Sequence, residues 1–262
     1  MINTRLIFCA NLLVSMMLAG GVAAAGLMKS HWDWQLTEPF DLTRDVQVLD
    51  LDPDNHSMDE IAALKARGIK LICYVSVGTA ENYRSDYNAF PTEIMGNTYE
   101  DWPDERFLDI RQIGQLVPIM AARFQRCADM GFDAIEPDNM DVHINDSGFA
   151  ITELDSLRYI RVLTDIAHGI GLEIGQKNVP ELTSRLVDTL DFVITEDCFA
   201  DGWCDAVSAY AKAGKPVYAA EYNDREIVFT GVCGSAAENY HFIQKDRDLT
   251  RHLNTCPQEI FQ

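Results

Sequence analysis

The chain has 262 residues, 47% of them hydrophobic and 24% charged, which excludes a disordered chain and suits one globular domain with a large core. Its 21 Lys and Arg against 41 Asp and Glu give a formal charge of −20. This balance argues against a nucleic-acid partner, because phosphate contacts require clustered cations, and it favours a cationic or neutral ligand.

The first 25 residues have the pattern of a secretory signal peptide. Arg5 precedes an apolar run over residues 6–18, and residues 23–25 are alanines that would allow cleavage. The apolar run is shorter than the about 20 residues that a membrane-spanning helix needs, so we predict no stable membrane association after cleavage. The sequence therefore predicts a secreted or periplasmic protein whose mature domain covers residues 26–262.

Six cysteines remain once Cys9 is removed with the signal, and an even number in an exported chain is typical of disulfide bonding. No close cysteine pair is matched by a second Cys or His pair at zinc-finger spacing, so a zinc site is not favoured. We predict three pairs from proximity in sequence: Cys198–Cys204, Cys233–Cys256 and, as the remaining pair, Cys73–Cys127.

Strand and helix patterns alternate along the mature chain. Predicted strands cover residues 32–36, 46–52, 70–77, a short run from Gly131 to Asp138, 172–176, 192–196 and 216–221. Predicted helices cover residues 59–67, 117–130, 152–168, 181–188 and 203–213. The tail from Asn239 could supply a helix and a weak eighth strand. The long connection from Thr79 to about Gln115 is expected to be functional or to contain small elements of its own.

This repeated alternation predicts a parallel sheet covered by helices. Eight such units in a chain of this length favour an α/β fold of the (β/α)8 type, a single-domain TIM barrel, over an open sheet. The active site of such a barrel lies at the carboxyl ends of its strands. Reactive side chains stand at six of these predicted ends: Asp50 and Asp52, Tyr74 and Ser76, Asp138, Lys177 and Asn178, Glu196, and Glu221.

Three of these acids are predicted to meet. Inward residues of one barrel layer come from alternate strands, which places Asp52, Asp138 and Glu196 together at the mouth. Carboxylates held together without a metal are the groups used in glycoside hydrolysis, and their mutual repulsion supplies a protonated acid at neutral pH. Glu136 and Asp141 would be neighbours that tune Asp138.

Aromatic residues near the predicted mouth could stack on sugar faces. The candidates are Trp32, Trp34, Tyr74 and Trp102, although any single aromatic is more often a packing residue.

Other interpretations of the acidic stretch remain open. It could be a hydrated turn, since Asp, Asn and Pro are common in turns. Asp138, Asp141 and His143 could bind a metal in a polysaccharide deacetylase. Asp50, Asp52 and Asp54 have part of the spacing of a calcium loop, but the turn glycine and the bidentate glutamate are missing. The barrel could also bind glycans without catalysis.

A set of short motifs runs from about Trp32 to Cys256. They are Trp32-x-Trp34-Gln35-Leu36, Asp50-x-Asp52, Ile72-Cys73-Tyr74-Val75-Ser76-x-Gly78, Gly131-Phe132-Asp133-x-x-x-Pro137-Asp138-Asn139-x-Asp141, Gln176-Lys177-Asn178, Glu196-x-Cys198 and Gly214-Lys215-Pro216-x-x-x-x-Glu221-Tyr222. In these motifs the chain resembles the endo-α-1,4-polygalactosaminidases of glycoside hydrolase family 114. The resemblance implies a (β/α)8 barrel that cuts exopolymers of α-1,4-linked galactosamine and N-acetylgalactosamine within the chain, with retention of configuration.

The resemblance also implies roles for individual residues. Asp138 would be the nucleophile and Glu196 the acid/base. No cofactor or metal is implied. The partner would be a cationic or neutral amino-sugar polysaccharide, acted on by a monomer. The residues expected to contact the substrate or to support those that do are Trp34, Asp52, Tyr74, Lys177, Asn178 and Glu221.

Overall fold

The computed structural model describes residues 31–234 and 239–257, so the predicted signal peptide, residues 1–25, lies outside the described part of the chain. The strands are β1 (Trp32–Gln35), β2 (Val48–Leu51), β3 (Lys70–Ser76), β4 (Thr79–Glu81), β5 (Met95–Thr98), β6 (Glu105–Leu108), β7 (Ala134–Asp138), β8 (Glu173–Lys177), β9 (Phe192–Glu196), β10 (Val217–Tyr222), β11 (Tyr240–Lys245) and β12 (Asn254–Thr255). The helices are α1 (Met58–Ala66), α2 (Ile113–Met130), α3 (Glu153–Gly169), α4 (Thr183–Leu186), α5 (Ser208–Lys212) and α6 (Phe229–Gly234).

Eight parallel strands form one curled sheet in the order β1-β2-β3-β7-β8-β9-β10-β11, and β12 adds an antiparallel pair to β11. Side chains link the two ends of the curl. Trp32 Nε1 on β1 donates to the carbonyl oxygen of His241 on β11 at 2.8 Å, and the fully buried Lys245 and Asp33 form an ion pair at 2.7 Å. The architecture is the predicted single-domain TIM-barrel fold.

Two apolar clusters fill the fold, and the period-two alternation of strand side chains separates them. On β7, Ala134 belongs to the cluster inside the barrel, whereas Ile135 belongs to the larger cluster between sheet and helices. The interior cluster also contains the two tryptophans of β1. Glu136 and Asp138 follow Ala134 at intervals of two along β7, so their side chains also face the barrel axis.

The helix ends follow from local sequence chemistry. Thr152 caps α3, with its side chain accepting from the backbone nitrogen of Asp155 in a reciprocal capping box. Gly131 ends α2 with a φ of 101°, a left-handed conformation that glycine adopts without steric cost, and the chain turns directly into β7.

Several boundaries differ from the predictions. The weak eighth strand is confirmed as β11, whereas the helix that the described residues form in this region, α6, lies before Asn239. α2 begins at Ile113 instead of Val117. The long connection after β3 contains a three-stranded antiparallel sheet in the order β4-β6-β5, which confirms that it has elements of its own.

The three predicted disulfides are present. Cys73–Cys127 joins β3 to α2, Cys198–Cys204 closes the loop after β9, and Cys233–Cys256 joins α6 to the end of the described chain. Cross-links of this kind typically stabilise a fold by about 2–4 kcal/mol each. Among the described residues, no helix is long and apolar enough to cross a membrane.

Candidate active site

A cavity of about 690 Å³ opens at the carboxyl ends of the barrel strands. Seven of the eight residues predicted for the site line it: Trp34, Asp52, Tyr74, Asp138, Lys177, Asn178 and Glu196. The connection between β3 and α2 supplies one wall, which includes Tyr83, Arg84, Tyr99, Asp101, Trp102 and Glu105. Arg247 and Asp248 complete the rim after β11.

Lys177 lies at the centre of the acidic residues. Its Nζ is 2.8 Å from Asp138 Oδ1, 2.9 Å from Glu136 Oε1 and 3.3 Å from Glu196 Oε2. The ring of Trp34 lies beneath it, with the ring centre 4.7 Å from Nζ. Burial by itself would lower the pKa of Lys177, but the three carboxylates outweigh burial and hold the pKa well above its ordinary value. Lys177 is therefore an ammonium ion.

Asp138, at the end of β7, is held in its ionised form. Burial alone would raise the pKa of its carboxyl, but the Lys177 ammonium reverses that effect. The hydroxyl of Tyr74 adds a hydrogen bond to Oδ2 at 3.0 Å, and the net pKa of Asp138 lies below its usual value. An ionised, oriented carboxylate of this kind is suited to nucleophilic attack.

Glu196, at the end of β9, is held by two neutral side chains. Asn178 Nδ2 donates to Glu196 Oε2 at 2.9 Å, and the hydroxyl of Tyr222 donates to Oε1. The backbone nitrogen of Glu196 donates to Asn178 Oδ1 at 3.0 Å, which fixes both residues together. Tyr222 was not among the predicted site residues, although it stands in the motif that ends Glu221-Tyr222.

Left-handed backbone conformations occur directly after three neighbouring barrel strands. Asn139 follows β7 with φ 60°, Asn178 follows β8 with φ 49°, and Asp197 follows β9 with φ 51°. Asn and Asp tolerate this region better than other non-glycine residues, and such conformations cluster at functional sites. A Cβ on Gly78 would lie 1.8 Å from the carbonyl oxygen of Asn139, so only glycine permits this close approach.

Asp52 lines the cavity as predicted but is not in contact with Lys177. Its Oδ1 forms an ion pair with Arg84 at 2.7 Å, and the same guanidinium contacts Asp54 Oδ2 at 2.7 Å and Glu81 Oε1 at 2.8 Å. The alternate-strand argument thus placed all three acids at one mouth, but the residue that joins Glu196 to Asp138 is Lys177. Arg84 lies in the long connection, and no sequence pattern indicated it.

Glu221 is the one predicted site residue that does not line the cavity. It is fully buried, and its two carboxylate oxygens accept from the backbone nitrogens of Phe199 at 2.8 Å and Ala200 at 3.0 Å. Its place in the fold is behind the loop that follows β9, which it holds in position. Of the two roles expected for these residues, substrate contact and support of the site, the position of Glu221 favours support.

Three of the four aromatic candidates line the cavity, and one does not. Trp34, Tyr74 and Trp102 line the cavity, and Trp102 is 52% exposed at its open edge. Trp32 is fully buried in the barrel interior and stacks on Trp34 with ring centres 6.2 Å apart. A role for Trp32 in sugar stacking is wrong, because its ring is packed inside the barrel.

His143, one of the residues considered for metal binding, has other partners. His143 Nε2 contacts Glu181 Oε1 at 2.9 Å and Nδ1 contacts Ser156 Oγ at 3.0 Å, so both ring nitrogens are engaged. Within residues 31–234 and 239–257, the only group of potential ligands close enough to share an ion is Cys198, Cys204 and Glu221, and its two sulfurs form a disulfide. Neither the deacetylase interpretation nor the calcium loop gains support from this arrangement.

Residues 20–261 match the sequence model of Glycoside-hydrolase family GH114. The chain belongs to this family. It is therefore a glycoside hydrolase, as the sequence motifs predicted. Comparison with functionally curated proteins found no sequence relative.

Two solved structures show the same fold. Aspergillus fumigatus Ega3, determined in complex with galactosamine, has a TM-score of 0.81 and 28% identity, with 87% of this chain and 96% of that chain covered. The glycoside hydrolase domain of PelA from Pseudomonas aeruginosa has a TM-score of 0.68 and 14% identity, with 88% of this chain and 100% of that domain covered. The similarity to PelA concerns the fold alone.

Proposed function

We propose that this glycoside hydrolase cleaves exopolysaccharides of α-1,4-linked galactosamine and N-acetylgalactosamine within the chain, by a retaining two-carboxylate mechanism. Asp138 is the nucleophile and Glu196 is the acid/base. The observation that carries the proposal is the placement of a single ammonium, Lys177, between an ionised buried carboxylate and a second carboxylate at the mouth of the barrel.

A cationic or neutral amino sugar fits the charge of the cavity. Four carboxyl groups of the lining form no ion pair among the described residues, those of Asp101, Glu105, Asp141 and Asp248. The formal charge of the whole chain is −20, which attracts a polycation from a distance. Ega3, the similar structure at 28% identity, was determined in complex with galactosamine.

The spacing of the carboxylates supports retention of configuration. Asp138 Oδ1 and Glu196 Oε2 contact the same nitrogen at 2.8 and 3.3 Å, so these two oxygens lie at most about 6 Å apart, and retaining glycosidases hold their two carboxyl groups about 5–5.5 Å apart.

The proposed reaction takes two steps. In the first, Asp138 attacks the anomeric carbon, the glycosidic C–O bond breaks, and Glu196 gives its proton to the leaving oxygen. In the second, Glu196 takes a proton from water, the water oxygen attacks the anomeric carbon, and the bond to Asp138 breaks. Lys177 and Tyr74 hold Asp138 for the first step, while Asn178 and Tyr222 orient Glu196 for both.

One assay tests the proposal directly. Purified protein is incubated with acetylated and with deacetylated galactosamine polymers, and the fragments are identified by mass spectrometry, with Asp138→Asn and Glu196→Gln as controls. We expect internal fragments from the wild type and at least about a 100-fold loss in each control. Unchanged polymer with the wild type, or full activity in both controls, would refute the assignment.

Retention and export need separate measurements. NMR of the first product formed should show the α-anomer, and an initial β-anomer would refute the retaining mechanism. We also propose that the protein is exported as a monomer without residues 1–25, in agreement with its three disulfides. Mass spectrometry of the exported protein and light scattering would test these two points.

A further inference from the structure

Two carboxyl groups lie in the barrel interior beneath Lys177, and the mechanism above uses neither. Asp50 on β2 and Glu136 on β7 are fully buried, and their side chains are in hydrogen-bonding contact with each other. Glu136 Oε1 accepts from Lys177 at 2.9 Å. Glu136 Oε2 and both oxygens of Asp50 have no hydrogen-bond donor among the described residues.

The parallel register brings these two residues together. β2 and β7 flank β3, with Asp50 paired to Ile72 and Glu136 paired to Tyr74. Asp50 lies two residues after Val48, which belongs to the interior cluster, so its side chain points to the barrel axis. Strand order and alternation therefore place both side chains in the barrel interior, where both are fully buried.

Two ionised carboxylates in contact inside a barrel would repel each other at short range with no water to screen them. A proton shared by the pair removes that repulsion and supplies the missing donor for one of the three unpartnered oxygens. The closest cation, Lys177, contacts Glu136 and not Asp50. The proton is therefore expected to reside mainly on Asp50.

We propose that Asp50 is a carboxylic acid that donates its proton to Glu136 Oε2, and that the pair positions Lys177 for the reaction of Asp138. Asp50 and Glu136 are positioning residues, since neither lines the cavity. The part of this proposal that concerns catalysis rests on the proposed function, in which Asp138 is the nucleophile.

The charges around Lys177 explain why one proton is the useful number. With one proton on the pair, Lys177 faces single negative charges on Glu136 and Asp138 and keeps its contact with Glu196. Loss of that proton would place a second negative charge on the pair of Asp50 and Glu136, and this charge would draw the ammonium away from Asp138. A second proton would neutralise Glu136 and release its hold on Lys177.

The pKa shifts of Asp50 and Glu136 both agree with a proton bound to the pair. Burial, followed by the Glu136 charge, raises the pKa of Asp50 well above its ordinary value. Burial raises the pKa of Glu136 to about 7, although the Lys177 ammonium opposes the increase. The charge of Asp138 also raises the pKa of both groups.

Infrared spectroscopy tests the shared proton without any substrate. A protonated carboxyl absorbs at a frequency distinct from that of a carboxylate, so the difference spectrum between wild type and Asp50→Asn at neutral pH should contain one carboxylic-acid band from the wild type. Asp146→Asn, an exposed change outside the cavity, should give no such band. Absence of the band in the Asp50→Asn difference would overturn the proposal.

Kinetics tests the positioning role. Asn at position 50 keeps a neutral N–H donor for Glu136, so Asp50→Asn should keep kcat within about threefold of the wild type. Asp50→Leu, of similar size but without a donor, should lower kcat by at least about tenfold with KM nearly unchanged. A purely structural role would reduce the folded fraction and leave kcat per folded molecule unaltered.

The two tests separate the proposals. A folded Asp50→Leu protein with the kcat of the wild type would overturn the positioning role. If Asp50→Leu does not fold, loss of activity in the folded Asp50→Asn protein would overturn it instead. A wild type that cleaves no galactosamine polymer would refute the proposed function, whereas the infrared band would still decide whether the proton is shared.

Discussion

At the scale of single residues, one lysine determines the chemistry available to the cavity. A buried ammonium in contact with three carboxylates is stabilised by all of them, and in turn it decides which of them remain ionised. Asp138 contacts the ammonium at 2.8 Å and accepts a hydrogen bond from the Tyr74 hydroxyl. Glu196 contacts the ammonium at 3.3 Å and accepts hydrogen bonds from neutral side chains. Two carboxylates at one barrel mouth thus have different surroundings, as different catalytic roles require.

Replacement of Lys177 by Met should test whether the ionisation of Asp138 depends on the ammonium. Without the ammonium, burial raises the pKa of Asp138, so less of it is ionised at a given pH. We expect kcat to fall at least about 100-fold, and the acid limb of the kcat profile to move to higher pH. The control is Lys212→Met, which removes an exposed lysine. An unchanged acid limb in Lys177→Met would contradict the role given to this charge.

Replacement of Asp141 by Asn should separate charged from uncharged substrates. Asp141 lines the cavity, and its Oδ1 is buried without a hydrogen-bond partner among residues 31–234 and 239–257. A substrate ammonium would supply that partner. We expect kcat/KM for the deacetylated polymer to fall about tenfold and that for the acetylated polymer to change less than about threefold.

The matched control for this change is Asp146→Asn, which removes the same charge from the following turn at an exposed position outside the cavity. It should leave both substrates unaffected. Equal losses on both polymers in Asp141→Asn would mean that the carboxylate supports the loop rather than recognises an ammonium.

At the scale of secondary-structure elements, the site combines strand ends with one long connection. The strand ends could be predicted, because period-two alternation and parallel order place Asp138, Lys177 and Glu196 at one edge. The connection could not, because β4, β5 and β6 pair antiparallel over a stretch with no clear alternation. For this reason the sequence indicated Asp52 at the mouth but gave no sign of its partner Arg84.

The connection between β3 and α2 should also contribute to the binding of long substrates. Trp102, 52% exposed at the cavity edge, presents a ring face to which a sugar could stack. Trp102→Ala should raise KM for long oligomers about tenfold while kcat and the melting temperature stay nearly constant, since the ring is not part of the core. Leu154→Ala, at a 70% exposed position away from the cavity, is the control. An unchanged KM would remove Trp102 from the binding surface.

At the scale of the whole molecule, the barrel and its disulfides followed from sequence, but the direction of several buried side chains did not. Trp32 and Glu221 both stand where a mouth residue was expected. Trp32 instead fills the interior beside Trp34, and Glu221 turns to the backbone of a neighbouring loop. Such choices depend on which backbone donors and acceptors lie nearby, the His241 carbonyl for Trp32 and two backbone nitrogens for Glu221, and these are defined only when the strands are assembled.

The buried acids should also shape the stability of the whole molecule as pH changes. Burial raises the pKa of Glu105 and of Glu136 from an ordinary 4.5 to about 7. A carboxyl whose pKa is higher in the folded chain binds more protons when folded, so the free energy of unfolding decreases as pH rises between these two values. Repulsion within the net charge of −20 acts in the same direction. We therefore expect a higher melting temperature near pH 5 than near pH 8.

Glu105 allows a quantitative version of this test because it lies outside the contacts of Lys177. Glu105→Gln removes one titrating group while keeping an acceptor for the hydroxyl of Thr79. The loss of unfolding free energy between about pH 5 and pH 8 should shrink by on the order of 1–3 kcal/mol in this variant. Glu93→Gln, a change at an exposed position, should leave that loss as large as in the wild type. Parallel pH dependences in Glu105→Gln and the wild type would show that Glu105 is ionised throughout, with Thr79 and Arg84 together compensating for its burial.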